Sequence, residues 1–320
     1  MIDPLLVATI EYGGMLSIMC IGLTVTYQTT KVPNFAFADY AVAGMLSSYF
    51  VYVLLNLSTP YFAIPIAFLA GGAFSIIMYL LVMKPMIKRG SSIIILMVAS
   101  LAVDIFFTGV AADIVNIGVV PFAGQFLHAG FPTLVYAPPL PDFAIPGVCS
   151  APQTCGLLVI SPVSLVITTV LMFMLLTRSK FGIAMRASIE NPSLARIAGI
   201  NVDRVYLVSW FIAGGLGGLA GCLYAIGSGY SINIENVLIL DVFAGSVLGG
   251  LSSIYGAVIG GMLVSFGESY IIPQLAINVN SQLGVLEVGG SSMIILIITL
   301  ILAPRGLVAV RWKRLALWRR

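Results

Sequence analysis

Charge is what this sequence has least of. Of its 320 residues only 8% are Asp, Glu, Lys or Arg, there is one histidine and there are four cysteines, against 60% hydrophobic residues and a mean hydropathy of +1.09. A soluble globular domain needs a charged surface, so that class is excluded. The single histidine, His128, has no companions with which to build a metal site. The common catalytic signatures are absent too. No Gly-Lys dipeptide occurs, so a P-loop is impossible, and there is no Gly-x-Ser-x-Gly elbow, no His-Glu-x-x-His and no Cys-x-x-Cys. No catalytic residue and no metal site is assigned, and the chain is expected not to be an enzyme. Moving a solute across a membrane is the default for such a composition.

What is present is apolar sequence in span-length runs. A bilayer core of about 30 Å needs roughly 20 apolar residues per helix. Candidate spans fall at 5–28, 34–56, 61–83, 92–117, 156–177, 205–227, 236–251, 254–273 and 284–303. The fold class is therefore all-α: a polytopic transmembrane bundle of about eight or nine spans, forming a single transmembrane domain over residues 1–320. The short seventh span, with Gly245, Gly249 and Gly250, suggests a re-entrant or broken pair with its successor. Met1–Leu6 carries Asp3 and no Lys or Arg, unlike a cleaved signal peptide. All 15 Lys and Arg fall in alternate loops and the C-terminal tail. That side should be the cytoplasm, placing the N-terminus outside and the C-terminus inside a cell membrane. The net charge of +3 follows from topology, and no nucleic-acid partner is invoked.

Between the fourth and fifth spans lies a proline-rich outer loop at about 118–155 without Lys or Arg, which contains His128. Cys149 and Cys155 share it and form a possible disulfide on the oxidising side, whereas Cys20 and Cys222 sit within spans as small apolar residues. In "AGGLGGLAG", Gly214 with Gly218 and Gly217 with Gly221 have the small-xxx-small spacing of close helix packing. The intramembrane acids are Glu11, Asp39, Asp104, Asp113, Asp241 and Glu268, and the spans hold no basic partner for them. Each must be protonated, hydrogen-bonded or facing water. Asn34, Asp39 and Asp241 are the candidates for a solute pathway. "VPNFAFADYAVAG" has Pro33 and Asn34 opening a helix, and Asp241 precedes a glycine-rich turn.

The inner loop at about 178–204 contains "RASIENPSLARIAGINVDRV". Asn191 is a cap, Pro192 stands at the first helical position and Gly199 is a stop, which leaves a helix of about two turns. Leu194, Ile197 and Ala198 share one face, and Asn201 or Asp203 caps the next span. Two turns are unstable alone, so this helix leans either on lipid headgroups or on another protein.

"KFGIAMRASIENPSLARIAGINVDRVYLVSWFIAGGLGGLAGCLYA" resembles the signature segment of permeases of branched-chain amino acid ABC transporters, as do "VPNFAFADYAVAG", "GSVLGGLSSIYGAVIGG" and the closing "LILAPRGL". The resemblance implies an importer permease that carries branched-chain or other apolar amino acids and works by alternating access. It has no cofactor of its own, since ATP is bound by partners. Those partners are two cytoplasmic ATPase subunits, a second permease, homologous or identical, an extracytoplasmic binding protein and membrane lipid. In such permeases this loop docks on the ATPase. Glu190, Leu194, Ala195, Ala198, Gly199, Asn201 and Asp203 match the coupling segment, and Asn191 and Ile197 join them as cap and apolar-face residues. Asn191 stands where an acid is common, and Phe37-Ala38-Asp39 replaces a small or polar His/Gly/Glu run, which bears on substrate identity. A proton-coupled secondary carrier using the intramembrane acids, and a urea or short-amide permease of the same family, are the alternatives.

Overall fold

The computed structural model describes residues 3–119, 125, 136–137, 139–143, 155–231, 234–279, 290–302 and 306–307. Among these, seven helices are long and apolar enough to cross a membrane. They include α1 (Pro4–Thr30), α2 (Phe37–Leu54) and α3 (Ile64–Met78), the last extended by a π-helical turn and α4 (Lys84–Lys88). Then come α5 (Ile93–Val119), α6 (Cys155–Arg178), the interfacial α7 (Lys180–Glu190) and α8 (Pro192–Ile197), and α9 (Val202–Gly227). The shorter α10 (Ile234–Gly249) is followed by α11 (Ile254–Phe266), which passes through a second π-helical turn into α12 (Ile272–Val279), and by α13 (Gly290–Leu302). Each predicted span meets a helix.

Helix α1 forms the centre. Asp3 caps it by accepting from the Leu5 amide at 3.0 Å, Pro4 opens it, and Lys31 closes it in the left-handed region at φ 56°. Every residue from Gly13 to Thr26 is buried, because α6, α9, α10 and α11 pack around it. Lipid tails are as apolar as leucine, so helices in a membrane are held by close contact and hydrogen bonds. Serines provide those bonds: Ser17 donates to the Val258 carbonyl at 3.1 Å, Ser265 to that of Thr9 at 2.9 Å and Ser75 to that of Trp210 at 2.8 Å. Glycines provide the contact. A methyl on Gly71 would stand 2.8 Å from the Gly218 Cα, and one on Gly221 would run into the Ala41 carbonyl, so α9 lies backbone to backbone against α2 and α3.

One feature differs from the sequence expectation and a second bears on it. Helix α2 starts at Phe37, not at Asn34; the chain after Lys31 turns back into the bundle, and Asn34, Ala36, Phe37, Ala38 and Asp39 are all buried. Asn34 closes this turn, accepting from the Ala36 amide and donating to the Tyr40 hydroxyl at 2.9 Å. The second concerns the expected re-entrant pair. Helix α10 runs alongside α1 from Tyr12, which bonds Asp241, to Gln28, which bonds the Ser252 carbonyl at 2.9 Å. Its 16 residues span about 24 Å, less than the bilayer core, and Glu235 in its first turn is buried and bonded by Thr108 from the middle of α5, so it starts inside the bundle. Helix α11 then returns antiparallel, with Gly249 meeting Gly256 and Gly245 meeting Gly260. Helices α2 and α10 both begin inside the bundle.

The Gln28 end carries Lys31, Lys84, Lys88, Arg196 and the 250–253 turn and is the basic face. At the opposite end, Tyr136–Ala137 pair antiparallel with Tyr230–Ser231, and Asp142 accepts from the Tyr61 hydroxyl at 2.8 Å and the Leu157 amide at 2.9 Å. The described part of the outer loop is thereby fastened to the starts of α3 and α6. His128 and the Cys149–Cys155 pairing lie outside the described residues, as does the tail from 308.

Candidate functional site

On the basic face, α8 projects from the bundle. Asn191 Oδ1 accepts the Leu194 amide at 3.0 Å, Pro192 fills the first helical position, and Gly199 at φ +83° ends the helix. Ala195 is buried and anchors the helix inward. Leu194 and Ile197 point out, 62% and 84% exposed. Ala198, Glu190, Gly199 and Asn201 are not buried either. Two apolar side chains held up on a rigid two-turn platform form a knob that a protein groove or the headgroup layer would cover.

The platform is tied sideways by Asp203. Its carboxylate lies 3.6 Å from Arg196 of α8, 3.3 Å from Lys84 and 3.7 Å from Lys88 at the end of α3–α4. Asn201, not Asp203, caps α9, accepting from the Arg204 amide at 3.1 Å, which leaves Asp203 free for the cations. A cleft opens beside it, lined by Lys88, Arg196 and residues 199–203. Spacing alone gave no sign of the lysines' part, because they lie more than a hundred residues away.

Inside the membrane the acids form two sets. Asp241 is fully buried and satisfied: the hydroxyls of Tyr12 and Ser292 donate to its two oxygens, and Ser292 also lies 3.3 Å from Glu268. Glu268 sits in the π-helical turn after α11, and such turns expose backbone and recur at functional sites.

Asp39 is the contrast. It is 0% exposed and neither carboxylate oxygen meets a donor among the described residues. What it faces is acidic: the Asp104 carboxyl is within hydrogen-bonding reach and Glu235 acts on it through space. Two carboxyl groups bond each other when one of them holds a proton and donates it to the other. Burial of an ion costs several kcal/mol even after relaxation. Placement in the first turn of α2 returns at most about 2 kcal/mol.

These acids are brought together by α5. Ser100, Asp104 and Thr108 recur every four residues and make a polar stripe on a helix whose other faces carry Ile105 and Phe106, 73% and 71% exposed. Ser100 accepts from the Phe35 amide at 3.1 Å, Asp104 meets Asp39, and Thr108 donates to Glu235 at 3.2 Å. Asp113 is on the same helix and shows no such contact in the described structure. Glu235 lies one residue before the predicted seventh span and so falls outside the expected intramembrane acids; the four-residue spacing of Ser100, Asp104 and Thr108 is the signal that could have marked α5 as its partner.

The glycines of "AGGLGGLAG" pack within the chain: Gly214 against Ser75 and Gly71, Gly218 against Ala67 and Gly71, Gly221 against Ala41 and Gly217 against Tyr40. Cys20 and Cys222 are buried free thiols. No group of three His, Cys, Asp or Glu fit to hold a metal occurs among the described residues.

Residues 5–303 match the family model of the branched-chain amino acid transport system permease component. A protein of Methanocaldococcus jannaschii, named as a probable branched-chain amino acid transport permease protein LivH, is 38% identical over 317 residues, covering 97% of this chain and 94% of its own length. No solved structure matches the chain.

Proposed function

The chain belongs to the permease components of branched-chain amino acid transport systems, and from that membership we propose that it is the membrane subunit through which an ABC importer passes branched-chain or related apolar amino acids inward. It is an integral membrane protein and works as a transport subunit, one transmembrane domain without a nucleotide site or cofactor of its own. Two ATPase subunits engage it from the cytoplasm and bind the ATP. A second permease completes the membrane pair, and an extracytoplasmic binding protein delivers substrate to the end closed by Asp142. The N-terminus lies outside and the C-terminus inside, which puts the basic face in the cytoplasm.

The observation that carries this reading is the α8 knob. Leu194 and Ile197 are exposed, yet their helix is capped by Asn191, stopped by Gly199 and tied by Asp203 to α4, so a push on it reaches α3 and α9 together. Glu190, Ala195, Ala198 and Asn201 complete the coupling segment. The solute path passes Asn34 and Asp39, where α2 begins inside the bundle, and Asp241. Half-helix starts at membrane depth direct partial positive charge toward a carboxylate, and an apolar zwitterion suits a path with few net charges.

Leucine uptake into vesicles tests the reading. Uptake should require ATP, both ATPase subunits and the binding protein, and should persist when the proton gradient is collapsed. Full transport by this chain alone would contradict it.

A further inference from the structure

A cavity of about 450 Å³ opens on the basic face, between the inner ends of α1 and α6, helix α7 and the start of α11. Its size falls within the range of about 300–1,000 Å³ of small-molecule sites. Phe173 and Leu176 of α6, Met185 and Ile189 of α7 and Ile254 and Tyr255 of α11 make its wall apolar. The Phe173 and Tyr255 rings meet with centroids 6.2 Å apart, and beyond them α6 and α11 stay apolar and exposed through Val170, Val166 and Ile259. Charge enters from the other elements. Lys31 and Arg186 line the cavity and are exposed, and among the described residues neither has an acid within ion-pair distance. The Lys31 ammonium lies 6.0 Å from the Tyr27 ring centroid. Glu190, one turn after Arg186 on α7, is the acid on the wall, which leaves an excess of one positive charge.

Two further groups at the cavity lack partners. Helix α11 begins there, and the first amides of a helix have no acceptor within it. Ser253 accepts from the Gly256 amide at 3.2 Å, while the amides of Ile254 and Tyr255 meet no acceptor among the described residues. Gln28 fixes the turn before them by donating to the Ser252 carbonyl at 2.9 Å. The other group is the Thr169 hydroxyl, which is buried with no partner, whereas Thr168 and Thr177 on the same helix each bond a carbonyl one turn back. Buried polar groups are almost always satisfied, and exceptions point to a role or to a missing group.

We infer that this cavity binds one anionic phospholipid from the leaflet on the basic face, with its phosphate among Lys31, Arg186 and the start of α11 and an acyl chain along the apolar wall. A phosphate suits two cations and a helix N-terminus with free amides. A free phosphate would leave the wall in water, and an uncharged apolar molecule would leave the cations and amides bare; a phospholipid answers both ends. Thr169 lies eight residues before Thr177, about 12 Å deeper along α6, and an ester oxygen of the lipid would accept from its hydroxyl. The site requires only that the chain spans a membrane, so it stands apart from the identity of the transported solute. A lipid seated there joins α1, α6, α7 and α11, and α7 ends at Asn191, the cap of α8. The base of the α8 platform is thereby held by the membrane itself.

The test uses the full importer complex in nanodiscs doped with phosphatidylglycerol that carries a photoreactive diazirine in its acyl chain, or with phosphatidylethanolamine carrying the same group. Peptide mass spectrometry reads labelling of the cavity wall at Phe173, Leu176, Met185 and Ile189. The phosphatidylglycerol probe should label this wall severalfold more than the phosphatidylethanolamine probe. Unlabelled phosphatidylglycerol should compete, and inorganic phosphate should not. Lys31→Gln and Arg186→Gln should each lower the labelling about fivefold, the scale of one basic residue at an anionic surface. Lys180→Gln removes the same charge from α7 outside the cavity and should leave the labelling unchanged. Equal labelling by the two probes, or an equal loss with Lys180→Gln, would reduce the cavity to ordinary lipid contact and overturn the inference. Competition by inorganic phosphate, or a wall unlabelled by either probe because a partner subunit fills it, would overturn it as well.

Discussion

Arg196 of α8 and Asp203 of α9 approach to 3.6 Å across the Gly199 turn, and Asp203 is held from the other side by Lys84 at 3.3 Å. The three side chains are partly exposed, from 27% for Lys84 to 62% for Arg196, so each pair contributes about 1 kcal/mol or less to stability. Their value is positional, because they fix the angle of α8 against the end of α3–α4.

Asp203→Asn should therefore leave expression and thermal stability nearly unchanged, within about 1 kcal/mol. It should lower ATP-driven uptake severalfold while the complex keeps its substrate-free ATP hydrolysis. Parallel assays of hydrolysis and uptake check this, and a variant with wild-type uptake would remove Asp203 from the coupling path.

Gly199 sits at φ +83° with open space around the position of a side chain. Gly199→Val meets no clash but must hold a β-branched residue in the left-handed region, at about 1–2 kcal/mol. The strain falls on the α8–α9 turn. Uptake should be lost, with membrane insertion retained as read by protease protection.

Gly218 carries the closest approach of α9 to α3. A Cβ there would overlap the Ala67 carbonyl oxygen and stand 3.1 Å from the Gly71 Cα. Gly218→Val must part the helices, so the melting temperature of the purified protein should drop, by about 1–3 kcal/mol in stability. Gly109 has nothing within 4 Å, and Gly109→Ala is the control that should not move it.

Tyr12 donates to Asp241, as does Ser292. Tyr12→Phe keeps the ring and its edge contact with Tyr224 but leaves a buried carboxyl half satisfied, which costs about 1–3 kcal/mol. The melting temperature should fall, and Asp241→Asn on the same background should fall by less than the sum of the two single changes, since they share one bond.

Long apolar runs gave the helices, and caps gave the ends of α8 and the start of α9, because both signals are local. The interior start of α2 was not legible. Pro33 and Asn34 look like a helix opening, but Asn34 spends its side chain on a turn, and burial of Ala36 and Phe37 carries the start deeper. Nor did the sequence separate a re-entrant α10 from a crossing one, since a 16-residue helix fits either. The partners of Ser100, Asp104 and Thr108 on α5 come from positions 35, 39 and 235, a tertiary arrangement that no local signal in the sequence shows.

The central claim is that α8 is seated in an ATPase subunit rather than in the headgroup layer. A photo-crosslinking residue placed at Ile197, 84% exposed, in the assembled importer tests it most directly. The account predicts a crosslink to the ATPase that is lost with Leu194→Asp, and crosslinks to lipid alone would contradict it.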